Sequence, residues 1–126
     1  MTIAYWCVLA AILLPLIWTW VAKFTSGFRP RDNHNPREYL ERLEGPAKRA
    51  HWAQLNTFES IPGFMAAVII AHLAGGPQAW IDGLAVAYIL LRLAYGLLYI
   101  TDRALARSVV WAAALGCVVG LFVVAA

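Results

Sequence analysis

The residues with the clearest potential for chemistry form a polar stripe that begins at Arg49. The stripe continues through Trp52, Asn56 and Glu59, at spacings of three, four and three residues. Residues at these spacings lie on one face of an α-helix, because the helix turns once in about 3.6 residues. Glu59 is followed directly by the run SIPGFMAAVIIA. A guanidinium, an amide and a carboxylate on one face at the edge of an apolar segment predict a polar site between membrane helices.

A second polar stripe lies further along the chain, at Arg92, Tyr95 and Tyr99, which also share one helical face. Nine uncharged residues, 83–91, precede Arg92. An arginine inside a membrane span is costly unless it faces a partner or water. Glu59 is the natural partner, and the pair can form within one chain or between two chains.

The composition identifies the kind of protein that must position these stripes. The chain has 126 residues, of which 62% are hydrophobic and 13% are charged. Soluble domains are usually about 45–50% apolar and about 25% charged. The composition therefore predicts an integral membrane protein. The net charge of +3 is explained by basic loops beside a membrane, and we expect no nucleic-acid binding.

Four apolar segments predict an all-α membrane protein, a four-transmembrane-helix bundle in one domain, 1–126. The sequence predicts helices over 3–23, 46–74, 79–101 and 105–125. The second and third should be antiparallel neighbours, since a short hairpin joins them. Phe24–Gly45 forms a long polar connection in which YLERLE is expected to make a short interfacial helix.

Lysine and arginine predict the orientation. They are concentrated in 23–49 and again at Arg103 and Arg107, whereas the hairpin GGPQAWID has none. The positive-inside rule then places both basic loops in the cytoplasm and both termini on the other side, in what we expect to be a bacterial inner membrane. Cys7 and Cys117 fall in apolar segments and are expected to be buried small hydrophobes, with no metal site.

The two stripes could also have a purely structural role instead of forming a binding site. Polar side chains can hold membrane helices together, at about 0.6 kcal/mol for each hydrogen bond. A Glu59–Arg92 pair alone would serve this purpose. Two helices that each carry several polar residues in register favour a site over simple adhesion.

The two stripes also resemble the motifs of a known family. The run R-A-x-x-A-x-x-N-x-x-E-x-x-P-x-F, here 49–64, is similar to the signature of the MAPEG superfamily, the membrane-associated proteins in eicosanoid and glutathione metabolism. The run R-x-x-Y-x-x-x-Y, here 92–99, and Arg107-Ser108 are similar to further motifs of that family. The run Asn35, Pro36 and Arg37 before the second helix resembles a motif of bacterial members of the family and points to one of these.

The resemblance implies a homotrimer in contact with membrane lipids, with glutathione as co-substrate between subunits and a lipophilic small molecule as the second substrate. It implies a glutathione-binding set on two helices: Arg49, Gln54, Asn56, Glu59 and Tyr95. It implies a catalytic set: Arg92, Tyr99, Arg103 and Arg107. Either Arg103 or Arg107 would activate the thiol, because they straddle the position of the family's arginine.

The chain departs from the family pattern at Trp52, where many catalytic members carry arginine, and at Ser60, where some carry tyrosine. Three functions therefore stay open. The first is a glutathione-dependent transferase or peroxidase acting on lipophilic electrophiles. The second is a non-catalytic protein of the same fold that binds a lipid or a partner protein. The third is a small transporter or channel, which would have to form its path from the second and third helices alone.

Overall fold

A computed structural model describes all residues, 1–126, as an all-helical protein. The helices are α1 (Ile3–Thr25), α2 (Pro36–Glu41), α3 (Gly45–Leu73), α4 (Gln78–Ile100) and α5 (Ala104–Val123), and a 3₁₀ turn covers Pro30–His34. α1 packs mainly against α3, and α4 mainly against α5. The short interfacial helix expected at YLERLE forms as α2, which begins three residues earlier and ends at Glu41.

Three helices, α1, α4 and α5, are long and apolar enough to cross a membrane. α3 differs because its first half is polar. Its apolar stretch, 61–73, would rise only about 20 Å, short of a hydrocarbon core of roughly 30 Å. α3 therefore belongs to a membrane-spanning bundle only if its polar half faces other helices, and the four-span count stays a prediction.

The core joins all four long helices. It is built largely from small and medium apolar side chains such as Ala4, Ala67 and Ala85. The rings of Phe64 on α3 and Tyr88 on α4 stack with their centroids 3.9 Å apart. Small residues in such a core let helix backbones approach closely, as is typical of membrane helices. Large apolar side chains cover the outer faces of α1, α4 and α5, which suits contact with lipid.

Gly96 fixes the approach of α1 to α4. A Cβ atom at this position would lie 2.1 Å from the indole of Trp18, and Trp18 is itself buried. The contact therefore requires glycine. It sets the position of the part of α4 that carries Tyr95 and Tyr99.

Candidate functional site

Arg92 is the centre of the polar region. It lies on α4 and is 1% exposed. Its Nη2 donates to Oδ1 of Asn56 on α3 at 2.9 Å and to Oγ1 of Thr57 at 3.3 Å. The Thr57 hydroxyl donates in turn to the Ala53 carbonyl at 2.7 Å. The two stripes predicted from the sequence therefore meet within one chain.

The direct ion pair expected between Glu59 and Arg92 is absent from the single chain. The ion pairs of the structure are Arg31–Asp32 and Arg42–Glu38, both in the long connection. Asn56 lies between the two groups instead, since its Nδ2 donates to Oε2 of Glu59 at 3.4 Å. One amide thus accepts from the cation and donates to the carboxylate, and the Glu59 side chain stays exposed and open to another ligand.

The guanidinium of Arg92 has unused hydrogen-bonding capacity. Its Nε is buried and has no hydrogen-bond partner, and its acceptors on Asn56 and Thr57 are neutral. The guanidinium carbon also lies 4.4 Å from the ring centroid of Tyr95, a cation–π contact. Buried charges are normally paired, because removing a charge from water without a partner is costly. The site is therefore chemically suited to an anion.

A cavity of about 290 Å³ opens beside this guanidinium, and we call it the Arg92 cavity. One side is polar and comes from α3 and α4, with Asn56, Glu59, Ser60, Tyr88 and Arg92; the other is mainly apolar and comes from α5, with Trp111, Ala114, Leu115 and Val118. The remaining lining residue is Gly63. The cavity therefore combines a charged wall with an apolar wall.

A second cavity of about 230 Å³, the Arg107 cavity, is lined by Tyr95, Tyr99, Arg107, Ser108 and Trp111. The guanidinium carbon of Arg107 lies 4.2 Å from the centroid of the Tyr99 ring. The rings of Tyr99 and Tyr95 meet edge to face, with centroids 5.6 Å apart. A cation, two phenols and a hydroxyl surround this space.

Three of the predicted site residues lie outside both cavities. Arg49 donates from Nε to the carbonyl oxygen of Ile100 at 3.0 Å, so it binds the end of α4. The Oε1 atom of Gln54 lies 3.2 Å from Nδ1 of His51. Arg103 is exposed and precedes α5 as its N-cap residue. Of the two arginines that the sequence left open, Arg107 is the one beside the tyrosines.

The structure adds residues that the sequence analysis missed. The hydroxyl of Tyr88 donates to Oγ of Ser60 at 2.8 Å, and Trp111 lines both cavities. Tyr88 was detectable, because it lies four residues before Arg92 and extends the α4 stripe by one turn. Trp111 carried no such signal, since an aromatic residue near the start of a membrane helix is common.

One comparison with known proteins found a match. A family model described as the MAPEG family matches residues 3–126, which is essentially the whole chain. No curated protein and no solved structure matches this chain.

Proposed function

The chain belongs to the MAPEG family, and from that premise we propose that this membrane protein is a glutathione-dependent transferase or peroxidase acting on lipophilic electrophiles. The observation that carries the proposal is the buried, incompletely paired guanidinium of Arg92 beside a carboxylate, in one cavity. Glutathione has two carboxylates and one ammonium group. An arginine fork suits a carboxylate of the peptide, and Glu59 suits the ammonium.

The Arg107 cavity supports the chemical step. A thiol must become a thiolate to attack, and a neighbouring cation lowers the pKa of a thiol. We assign this role to Arg107 rather than to Arg103, because Arg107 lies over Tyr99 and Arg103 is exposed. Tyr99 and Ser108 offer hydroxyl donors to the same sulfur, and Tyr95 orients the peptide.

Both proposed reactions begin with the thiolate of glutathione. In transfer, the thiol proton goes to water, the thiolate attacks an electrophilic carbon, a C–S bond forms, and the leaving group departs with its electron pair. In peroxide reduction, the thiolate attacks the peroxide and the O–O bond breaks to release an alcohol. A second glutathione then displaces water from the oxidised sulfur, which gives glutathione disulfide.

The proposed assembly is a homotrimer in a bacterial inner membrane, with both basic loops in the cytoplasm. The exposed side chains of Glu59 and Trp52 would then face a neighbouring copy, which could complete the outer wall of the site. Arg49 and Gln54 would act at its rim.

Calorimetric titration of the purified protein in lipid nanodiscs with glutathione tests the proposal. We expect saturable binding, and similar binding of ophthalmate, which keeps the charges of glutathione but lacks its thiol. Only glutathione should then react with chlorodinitrobenzene. No heat at millimolar glutathione would overturn the proposal.

A second candidate is a non-catalytic member of the family that binds a lipid or a partner protein. Trp52 favours it, because an indole stands where many catalytic members carry a guanidinium. Trp52 is 44% exposed and lines a third cavity of about 420 Å³ with Lys48 and Arg49. Binding of an anionic lipid without any binding of glutathione would favour this candidate.

A further inference from the structure

The third cavity, of about 420 Å³, contains four charged side chains that form no ion pair. We call it the Asp102 cavity, and its charged lining residues are Glu44, Lys48, Arg49 and Asp102. The ion pairs of the structure both lie elsewhere, in the connection before α3. Two cations and two carboxylates therefore share one space, and neither sign of charge is neutralised by the other. A ligand that carries both signs of charge suits such a wall.

The two cations are consecutive on α3, and the backbone of other elements holds both of them. Arg49 donates from Nε to the carbonyl oxygen of Ile100 at 3.0 Å, which leaves its two Nη atoms for a ligand. Lys48 donates from Nζ to the carbonyl oxygens of Leu40 and Glu41 at the end of α2. A guanidinium fork and an ammonium are the groups that proteins use to bind a phosphate.

The two carboxylates come from different elements. Glu44 is the N-cap residue of α3, but its side chain caps no N–H group of that helix. Asp102 lies in the turn between α4 and α5, with a φ of 60°. Both are exposed. Carboxylate oxygens only accept hydrogen bonds, so they suit a primary ammonium with three N–H donors. A quaternary ammonium has no N–H group to donate.

The cavity lies at the level of the membrane surface. Asp102 stands between the end of α4 and the start of α5, two helices that are long and apolar enough to cross a membrane. Trp52 lines the cavity and is 44% exposed, and Leu55, one turn further along α3, is 45% exposed. An indole suits the boundary between headgroups and acyl chains. An apolar strip therefore leads from the charged cavity toward the bilayer interior, which favours a lipid over a free solute.

We propose that the Asp102 cavity binds a phospholipid whose headgroup carries a phosphate and a primary ammonium, as in phosphatidylethanolamine. The phosphate contacts Lys48 and Arg49, the ammonium contacts Glu44 and Asp102, and an acyl chain follows the apolar strip. The volume of the cavity lies in the range of about 300–1,000 Å³ that is usual for ligand sites.

This site is separate from the proposed glutathione site. The Asp102 cavity shares no lining residue with the Arg92 cavity or the Arg107 cavity. The inference therefore does not rest on the proposed function. In the proposed trimer, the lipid would lie at the boundary between two subunits, where Trp52 is exposed.

Lipid retention measured by native mass spectrometry tests the inference. Delipidated protein in detergent receives equal amounts of phosphatidylethanolamine, phosphatidylglycerol and phosphatidylcholine with the same acyl chains. We expect phosphatidylethanolamine to be retained about threefold or more over each of the others, since an exposed ion pair contributes only a small factor. Equal retention of the three lipids, or a preference for phosphatidylglycerol, would overturn the inference.

Replacing the two carboxylates should remove this preference. In Glu44→Gln combined with Asp102→Asn, the retention ratio of phosphatidylethanolamine to phosphatidylglycerol should fall to about one or below, because the phosphate contacts remain and the carboxylates no longer repel an anionic lipid. Asparagine tolerates the positive φ at this position, so the melting temperature should change little. Glu41→Gln is the matched control, since Glu41 is an exposed carboxylate outside the cavity. A preference that survives the double substitution would overturn the assignment.

Two soluble competitors separate the lipid from free ligands. Neither O-phosphoethanolamine nor glutathione at millimolar concentration should displace the retained phosphatidylethanolamine, and Trp52→Ala should lower its retention. Displacement by O-phosphoethanolamine would show that the ligand is a free zwitterion. Displacement by glutathione would make the cavity a part of the glutathione site. Either result overturns the inference, whereas an absence of glutathione binding with the lipid preference intact overturns only the proposed function.

Discussion

The Nη2 atom of Arg92 lies 2.9 Å from the Oδ1 atom of Asn56, and this bond joins α4 to α3 inside the bundle. It connects a buried cation to the amide that also reaches Glu59. Removing one partner of a buried hydrogen bond costs about 1–3 kcal/mol, because the other is left unsatisfied. The contact thus serves both the packing of the helices and the chemistry of the site.

Substitutions of Asn56 should separate these two contributions. Asn56→Leu should destabilise the protein by about 1–3 kcal/mol, since Arg92 then keeps only Thr57. Asn56→Asp should restore a partner for Arg92 and much of the thermal stability. The added carboxylate would repel Glu59, so the affinity of Asn56→Asp for glutathione should be lower than that of wild type. Melting temperatures and calorimetry on the same nanodisc samples check both effects, and equal stability in Asn56→Leu and wild type would contradict the structural part.

Replacement of Arg107 should affect catalysis far more than replacement of Arg103. We expect Arg107→Gln to lower kcat for chlorodinitrobenzene conjugation by about two orders of magnitude or more, the scale on which positioned groups contribute to proton-transfer steps. Arg103→Gln is the matched control and should leave kcat within about twofold, because its side chain is exposed. The reverse order of effects would move the activating role to Arg103.

Tyr99→Phe should show what the phenol contributes beyond its ring. The ring would still support Arg107, so stability and glutathione binding should change little. The loss of the hydroxyl should lower kcat by about tenfold or more if that group donates to the sulfur. A fall in binding with kcat unchanged would instead indicate that Tyr99 holds the peptide.

Arg49 should behave as a structural residue first. Its Nε atom binds the last carbonyl group of α4, and a cation is favourable at a helix C-terminus by about 0.3–1 kcal/mol. Arg49→Gln should therefore lower the melting temperature and change glutathione affinity less than Asn56→Leu does. A large loss of glutathione affinity with little change in melting temperature would instead indicate that Arg49 binds glutathione.

Gly96→Ala should destabilise the bundle. The added methyl group would meet the indole of Trp18 at 2.1 Å, and overpacking a core typically costs about 1–3 kcal/mol. Gly116→Ala is the control, because a Cβ atom there meets nothing within 4 Å, and alanine should be neutral or slightly stabilising in a helix. Thermal unfolding of both variants checks the difference.

The spacing of polar residues predicts which of them share a helix face. The spacings of Asn56 and Glu59 on one helix, and of Arg92, Tyr95 and Tyr99 on another, were sufficient to predict two stripes that could meet. The resemblance to the family placed Arg49 in the glutathione-binding set, and the spacing of residues did not reveal its hydrogen bond to the end of α4. A helix stripe defines an angle about the axis, but it does not say which backbone carbonyl lies opposite.

The contacts within the site depend instead on the distances between helices. The sequence suggested Glu59 as the direct partner of Arg92, because opposite charges attract and both lie in apolar surroundings. The structure puts the amide of Asn56 between them, a result of side-chain length and helix separation that no spacing encodes. The sequence did not single out Trp111 for a similar reason, since it lines two cavities only because α5 packs against α4.

A density map of the protein with added glutathione is the most direct test of the central claim, that Arg92 and its neighbours hold an anionic peptide. The account predicts density in the Arg92 cavity, with a carboxylate at the guanidinium of Arg92 and the sulfur toward Arg107. Density on another face of the bundle, or an empty Arg92 cavity with the Glu59 side chain turned into lipid at saturating glutathione, would contradict it.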